Sequence, residues 1–485
     1  MKALASSLKS GRLLSPTVTA TAMLFAIDMV TNLTDYAFHI YLGWSLSPAD
    51  FAIVQTLNAV LLIVVTAFAV LQPVVARFTA MFNARREAVY AKGQPLQTPA
   101  RLAAWVEIMR RQVSRHPVDP RSRAVFLRYM RQGLLLGLLL FAAAWLLRTY
   151  LAAWLNVPVA ALSAASFLLL LVLLRPVAFG MLQGQQQFTA FGLSRTAYAV
   201  GRLLLAVIFI SLLGGAAVAG VAAMPLGALL SLAVALAFLG RDVWLPTRSG
   251  EAGTVDEALI REGWRLSLAA LFAYAAFMSL QNLDLIWANR YFAPPAAGAY
   301  ATAVVFRRIL VVLPGAILVI LYPRIVTQVT RHRSPDRLLL KAAAVIIGVT
   351  GCLTVIYFLF GPWLVNLLFG KQYAAAAPLL GWMGLAMIAY AVASIWLNLY
   401  LATRPWPFVA MLTAVTGVQI LMLSRFHETL QQLVTVFLIT GWTVAVAGLI
   451  LYVAWMRPEL RRGKQAYANE RATQALSAGF DEAGE

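Results

Sequence analysis

Charged side chains occur inside segments of this sequence that are otherwise apolar. Asp28, Asn32 and Asp35 stand at positions i, i+4 and i+7, so on a helix they share one face. Arg195 and Arg202 are seven residues apart and share a face in the same way. Ionisable groups at membrane depth are costly and usually face a cavity or a partner, so we expect these residues to have a function.

The remaining candidates are residues of the same kinds elsewhere in the chain: Arg175, Arg307 and Arg308 among the cations, and Gln281 and Asp284 among the acids and amides. Arginine suits a diphosphate because its planar group donates two parallel hydrogen bonds to phosphate oxygens. We therefore predict that the arginines bind a diphosphate in the membrane interior. The acids and amides would balance its charge or carry a coupling H⁺ or Na⁺.

A second interpretation treats the same residues as internal salt bridges that hold two lobes together. The two interpretations are compatible, because an ion pair can open when an anionic substrate enters. The sequence contains neither a recognisable Ser/His/Asp arrangement nor a Cys/His cluster. We therefore expect no enzymatic activity, no catalytic residue, no metal site and no cofactor.

Composition identifies the chain as an integral membrane protein. Hydrophobic residues make up 61% of it and charged residues 12%, against about half and about a quarter in soluble domains. About twelve apolar segments have the roughly 20-residue length that a spanning helix needs. They are 18–43, 50–76, 132–154, 158–181, 189–212, 215–239, 264–289, 297–322, 339–361, 375–401, 405–423 and 431–456.

The net charge of +20 follows from membrane topology and does not require a nucleic-acid partner. Lys and Arg outside the apolar segments concentrate in the amino terminus, in 77–131, 240–265 and 323–341, and in the tail. The alternate connections hold only Arg290, Lys371 and Arg425. Positive residues stay on the cytoplasmic side of a bacterial inner membrane, so both termini are predicted to be cytoplasmic.

The apolar segments divide the chain into two halves. We predict an N-terminal lobe at 1–239 that includes a basic cytoplasmic loop at 77–131. A cytoplasmic linker at 240–263, a C-terminal lobe at 264–456 and a mobile tail at 457–485 follow. Within the loop, Thr98-Pro99 begins a predicted amphipathic basic helix suited to an anionic membrane surface. Pro176, directly after Arg175, predicts a kink in the fourth segment.

The two halves carry a repeat about 250 residues apart. In the first, Asp35 precedes a turn at Ser47-Pro48 and a long apolar run, and in the second, Asp284 precedes Pro294-Pro295 and a similar run. Duplicated halves with matched intramembrane acids are typical of transporters, because two such lobes can rock around one site. The predicted fold is therefore all-α, with about 12 transmembrane helices in two pseudo-symmetric six-helix lobes around a central cavity.

Four stretches resemble the polysaccharide-exporter branch of the multidrug/oligosaccharidyl-lipid/polysaccharide (MOP) flippase superfamily, which includes the Wzx-like O-antigen flippases. They are 41–51, 182–188, 282–300 and 367–373. The resemblance implies a flippase that moves an undecaprenyl-diphosphate-linked glycan across the bacterial inner membrane by alternating access. The glycan would serve the biosynthesis of surface polysaccharide such as lipopolysaccharide. The implied partners are this glycan lipid, membrane lipids and polymerase or glycosyltransferase machinery.

The chain departs from this family in two respects, and one other function stays open. Its loop at 80–130 is longer than usual, and its first span carries acids where the related lipid II flippases carry arginines. A cation-coupled multidrug antiporter of the same superfamily also uses an acid in the first span, which Asp35 fits. The arginines argue against that alternative, because they would repel cationic drugs. A membrane enzyme for glycans would need larger external loops than this sequence offers.

Overall fold

A computed structural model describes residues 16–90, 119–214, 216–240, 243, 257–310, 336–403 and 405–458. Within these ranges the regular structure is helical throughout, with no strand. The chain divides into two compact units, Met1–Leu268 and Ala269–Glu485. It passes from the first unit to the second inside one helix, Glu257–Leu280.

The first unit contains nine helices within its described residues and the start of a tenth. They are α1 (Pro16–Ser45), α2 (Pro48–Phe68), α3 (Leu71–Tyr90), α4 (Pro120–Leu146), α5 (Arg148–Leu155), α6 (Val159–Leu171), α7 (Leu174–Gly184), α8 (Phe188–Leu213), α9 (Ala217–Leu239) and α10 (Glu257–Leu280).

The second unit continues with the end of α10 and six further helices within its described ranges. They are α11 (Leu283–Tyr291), α12 (294–310), α13 (Asp336–Leu368), α14 (Ala377–Ala402), α15 (Pro405–Arg425) and α16 (Leu430–Leu451). A 3₁₀ helix at Lys371–Ala376 leads into α14, and a π-helical turn at Tyr452–Met456 prolongs α16.

The predicted all-α membrane architecture is confirmed. Ten helices in the described part of the chain are long and apolar enough to cross a membrane. Two predicted segments are not among these ten. Segment 18–43 coincides with α1, which carries two aspartates, and segment 297–322 begins in α12 but continues outside the described residues.

Several predicted segments are interrupted rather than continuous. Segment 50–76 breaks between α2 and α3, and segment 158–181 breaks between α6 and α7. Pro73 is the third residue of α3, and Pro176 is the third residue of α7. Proline is tolerated in the first turn of a helix, where the backbone N–H has no intrahelical acceptor. The kink predicted before Pro176 is therefore present as a two-residue interruption at Val172 and Leu173, whose backbone keeps right-handed helical angles.

Helices extend into both ends of the segment 77–131 that was predicted as a basic loop. Helix α3 runs on to Tyr90, and α4 already begins at Pro120. Asp119 caps α4 by accepting a hydrogen bond from the Arg121 N–H at 2.8 Å. An aspartate followed by proline is a recognised signal for the start of a helix. The sequence prediction overlooked this signal. The predicted helix at Thr98-Pro99 and most of the tail lie outside the described residues.

Close contacts between helices position the polar groups of the first unit. Gly180 and Gly184, four residues apart on α7, face α3. A Cβ on Gly180 would lie 2.5 Å from the Gln72 carbonyl oxygen, and one on Gly184 would overlap with the Cβ of Thr79. Small residues at this spacing let two membrane helices approach backbone to backbone. The contact fixes α7 against α3 along its last two turns.

Candidate functional site

Two ion pairs join α1 to α8 in the first unit. Arg195 Nη1 lies 2.5 Å from Asp28 Oδ1, and Arg202 Nη2 lies 2.9 Å from Asp35 Oδ1. Both pairs link residues 167 positions apart in the chain, because each helix carries its charges at a spacing of seven. Seven residues correspond to about 10 Å along a helix, so the two pairs lie one above the other.

The acidic side chains of these pairs are partly exposed. The side chain of Asp28 is 52% exposed and that of Asp35 is 39% exposed, whereas that of Arg202 is 5% exposed. Removing a buried partner leaves an uncompensated charge, but a half-exposed carboxylate can lose its partner at lower cost. Asn32, the third predicted polar residue of α1, is half-buried between the two acids. The exposure of the two acids leaves both carboxylates accessible, whereas the buried Arg202 needs another anion when its pair opens.

Aromatic rings surround the Arg202 guanidinium. Its carbon Cζ lies 3.9 Å from the centroid of the Phe38 ring and 5.0 Å from that of Tyr198. The Tyr198 hydroxyl also lies within 3.4 Å of Arg202 Nη1. The ring faces stabilise the cation by their negative quadrupole. The sequence prediction missed both rings, although Tyr198 lies on the same helix face as the two arginines of α8 and Phe38 follows Asp35 by three residues.

Arg175 places a third guanidinium against the same Tyr198 ring. Its Cζ lies 4.4 Å from the centroid of the Tyr198 ring and 5.5 Å from that of Phe179. No carboxylate pairs with Arg175 among the residues that the structure describes, and its buried Nε has no hydrogen-bond partner there. We call Arg175, Arg195 and Arg202, together with Asp28 and Asp35, the arginine cluster. Its three cations face only two acids, so it carries an excess positive charge.

The second unit contains a different and fully enclosed ion pair. Asp284 is 0% exposed and the Arg307 side chain 3% exposed. Arg307 Nη2 donates to Asp284 Oδ1 at 2.9 Å, and Nη1 donates to Oδ2, so the contact is bidentate. The Tyr300 hydroxyl donates to Oδ2 at 2.7 Å. Since both carboxylate oxygens are occupied, this pair has the geometry of a structural bond rather than an open anion site.

Arg307 also makes a hydrogen bond to the backbone at the break between α10 and α11. The backbone leaves the helix at Gln281 and Asn282, and Arg307 Nη2 donates to the freed Gln281 carbonyl. Tyr390 and Gln419 donate to the preceding Leu280 carbonyl at 3.1 and 3.0 Å. Backbone carbonyls at membrane depth need such partners because lipid offers none. Gln281 thus contributes its backbone to this arrangement, and neither Tyr390 nor Gln419 was predicted.

Arg308, the last predicted arginine, is half-buried beside Arg307 on α12. The predicted residues therefore lie in two different environments, one in each unit. Three arginines and two acids form the open cluster of the first unit, while Arg307 and Asp284 are enclosed in the second. No group of three or more His, Cys, Asp or Glu residues in the described part of the chain could hold a metal ion.

Two helical units with ten candidate spans and charged groups inside them define a polytopic membrane protein. Solved structures with a similar fold are multidrug resistance MATE family transporters of the MOP superfamily. An inward-facing one has a TM-score of 0.68 at 14% identity, with 89% of this chain and 95% of that chain covered. An outward-facing one has a TM-score of 0.58 at 13% identity, with 92% and 95% covered.

At this level of identity the likeness establishes the fold. The neighbours belong to the superfamily that the sequence resembles, whereas the polysaccharide-exporter branch stays a prediction. No protein-family model matches the chain. The search of curated proteins gives no match either.

Proposed function

We propose that this protein is a flippase that carries a lipid-linked glycan with an undecaprenyl diphosphate anchor across the bacterial inner membrane by alternating access. In this proposal the arginine cluster of the first unit holds the diphosphate, while the polyprenyl chain stays in the lipid. The fold of MOP-superfamily transporters supports the transport part of the proposal. The excess positive charge of the cluster supports the anionic substrate.

Arg175 is the observation that carries the proposal. A guanidinium that is partly enclosed is costly unless an anion compensates it, and Arg175 lies over the faces of Tyr198 and Phe179 without an ion pair to a carboxylate among the described residues. A diphosphate supplies the missing negative charge and accepts the bidentate hydrogen bonds that the guanidinium can donate. Aromatic stacking also holds the planar group in one orientation, ready for that contact.

The two acids of the cluster act as exchangeable partners in this scheme. When a diphosphate enters, Asp28 and Asp35 release Arg195 and Arg202 and are neutralised by H⁺ or compensated by Na⁺. Their partial exposure supports this step, because a half-exposed carboxylate loses its partner at a lower cost than an enclosed one. The enclosed pair of Arg307 and Asp284 takes no part in substrate binding in this proposal.

The test is transport in proteoliposomes that contain the full-length protein and a fluorescent polyprenyl-diphosphate glycan. We expect Arg175→Gln to lower the flipping rate at least tenfold, because losing one charge-assisted contact to phosphate costs about 1.5–3 kcal/mol. Arg148→Gln is the matched control. Arg148 also lies over an aromatic ring, 4.9 Å from the centroid of Trp145, but it forms no ion pair with a carboxylate of the described residues and is not part of the cluster. We expect that variant to flip at the wild-type rate.

The alternative function is cation-coupled export of drugs, which the similarity to multidrug MATE transporters favours. The same proteoliposomes distinguish the two functions when they are loaded with a cationic dye. Dye export together with no flipping of the glycan lipid would overturn the flippase proposal. Equal flipping by wild type and Arg175→Gln would remove the arginine cluster from substrate binding.

A further inference from the structure

Helix α4 and the start of α10 pack side by side in the first unit. Three polar contacts join them, and each later residue of α4 meets a later residue of α10. The contacts are an ion pair of Arg128 with Glu257 at 3.2 Å, a hydrogen bond from the Tyr129 hydroxyl to the Ile260 carbonyl at 3.4 Å, and one from Trp264 Nε1 to Gln132 Oε1 at 2.9 Å. The two helices therefore run in the same direction.

Three exposed arginines lie on one side of this helix pair. Arg131 comes directly before Gln132 on α4, and Arg265 comes directly after Trp264 on α10, so the two lie at about the same level. On parallel helices that face each other, the residue before a contact on one helix and the residue after it on the other turn to the same side. Arg261, one turn before Arg265, shares that side.

The opposite side of the pair is covered by α3. A Cβ on Gly263 of α10 would lie 2.9 Å from the Phe78 ring of α3. Gly263 and Arg265 are two residues apart, so they lie on nearly opposite faces of α10. The arginines therefore face away from the packed side of the pair.

The charges of these arginines are not compensated within the described part of the chain. Glu257 pairs with Arg128, and none of Arg131, Arg261 and Arg265 forms an ion pair with a described carboxylate. Like charges held at one level repel each other, so a bound anion lowers their electrostatic energy. Phosphate is the anion that arginine suits best, because the planar guanidinium donates two parallel hydrogen bonds to its oxygens.

An apolar surface continues from the arginines along both helices. Leu135 and Leu138 follow Arg131 at i+4 and i+7 on α4, and Leu268 follows Arg265 at i+3 on α10, so each leucine shares a face with its arginine. These leucines are 60%, 46% and 45% exposed in that order. The surface thus has cations at one end and exposed hydrocarbon at the other, which matches a phospholipid with its headgroup and acyl chains.

The arginines also lie at the depth of a lipid headgroup. The predicted apolar segment 132–154 begins directly after Arg131, and the segment 264–289 begins directly before Arg265. Trp264 lies at the same level, and tryptophan is enriched at the interface between membrane and water. On the predicted topology this end of both helices is cytoplasmic, where anionic lipids attract basic residues near the membrane surface.

We propose that Arg131, Arg261 and Arg265 bind the phosphate of an anionic phospholipid of the cytoplasmic leaflet, whose acyl chains lie along the exposed leucines of α4 and α10. This site is separate from the proposed transport function, since none of the three belongs to the arginine cluster. Because α10 passes from the first unit into the second, the bound lipid braces the start of this connecting helix against α4.

The experiment measures lipid retention by native mass spectrometry. The purified full-length protein is released from nanodiscs that contain equal amounts of cardiolipin and phosphatidylcholine. We expect the wild type to retain cardiolipin about tenfold over phosphatidylcholine, which equals about 1.4 kcal/mol. We expect Arg131→Gln/Arg265→Gln to lose this preference, because two guanidiniums no longer meet the phosphate. Arg261→Gln replaces the double variant if that protein does not fold, and we expect a reduced preference.

Arg77→Gln/Arg121→Gln is the matched control, because it removes the same charge from exposed arginines of the first unit. Arg77 lies on α3, next to the Phe78 that covers the opposite side of the pair. Arg121 precedes Arg131 by ten residues on α4, which is about 15 Å along the helix. We expect this control to keep the preference for cardiolipin.

Three results would overturn the proposal. Equal retention of both lipids by the wild type would exclude a site, as would an unchanged preference in the Arg131→Gln/Arg265→Gln variant. Loss of the preference in the control as well would show attraction by net charge alone. A further arm offers undecaprenyl diphosphate in phosphatidylcholine nanodiscs. If the three arginines retain that lipid and not cardiolipin, the site belongs to the transported substrate and the phospholipid proposal fails.

Discussion

At the scale of single residues, Asp35 and Asp284 occupy matching places in the repeat, yet the first is 39% exposed and the second 0% exposed. The difference arises because Asp284 receives two nitrogens of Arg307 and the Tyr300 hydroxyl. Asp35 receives a nitrogen of Arg202 on one oxygen. Enclosure makes one acid structural, and exposure leaves the other available for exchange.

This contrast predicts unequal losses of stability. Arg307→Ala leaves the enclosed Asp284 carboxylate without its cation, which costs about 3–5 kcal/mol for a buried pair. Arg195→Ala leaves Asp28 half-exposed, and exposed pairs contribute at most about 1 kcal/mol. We therefore expect a much lower melting temperature for Arg307→Ala than for Arg195→Ala in purified protein. Similar melting temperatures for the two variants would contradict the structural role of Arg307.

At the scale of helices, local sequence signals set the ends and tertiary packing sets the contacts. Ser47, Asp119 and Thr429 cap the helices that follow them through side-chain oxygens, as their residue types favour. Proline near the start of α3 and α7 marks their breaks. The packing of α7 on another helix could be anticipated from the spacing of Gly180 and Gly184, but its partner α3 could not.

The glycine contact yields a prediction about stability. Gly184→Ala adds a Cβ that overlaps with the Cβ of Thr79 and must push α7 away from α3. Overpacking of this kind costs about 1–3 kcal/mol. Gly351→Ala on α13 is the control, because its Cβ would meet nothing within 4 Å and alanine favours a helix over glycine. We expect thermal melting to show a loss for Gly184→Ala and no loss for Gly351→Ala. The reverse order would refute the close contact.

At the scale of the whole molecule, the proposed function predicts that flipping responds to membrane potential. Two negative charges moved outwards across about 100 mV gain roughly 4–5 kcal/mol when the interior is negative. We expect faster outward flipping in proteoliposomes as a potassium diffusion potential is made more negative inside, with the H⁺ and Na⁺ gradients held constant. A rate independent of potential would exclude a net negative species as the moving one.

The sequence by itself determined that the chain is a helical membrane protein and which charged residues share a helix face. Hydrophobicity and helical spacing are local properties, so Asp28 groups with Asp35, and Arg195 with Arg202, from their positions in the chain alone. Only the tertiary structure decided which acid meets which arginine. Asp35 pairs with a residue of α8 far along the chain, whereas Asp284 pairs with Arg307 only 23 positions away. Partners depend on which helices become neighbours, and many long-range packing contacts decide that together.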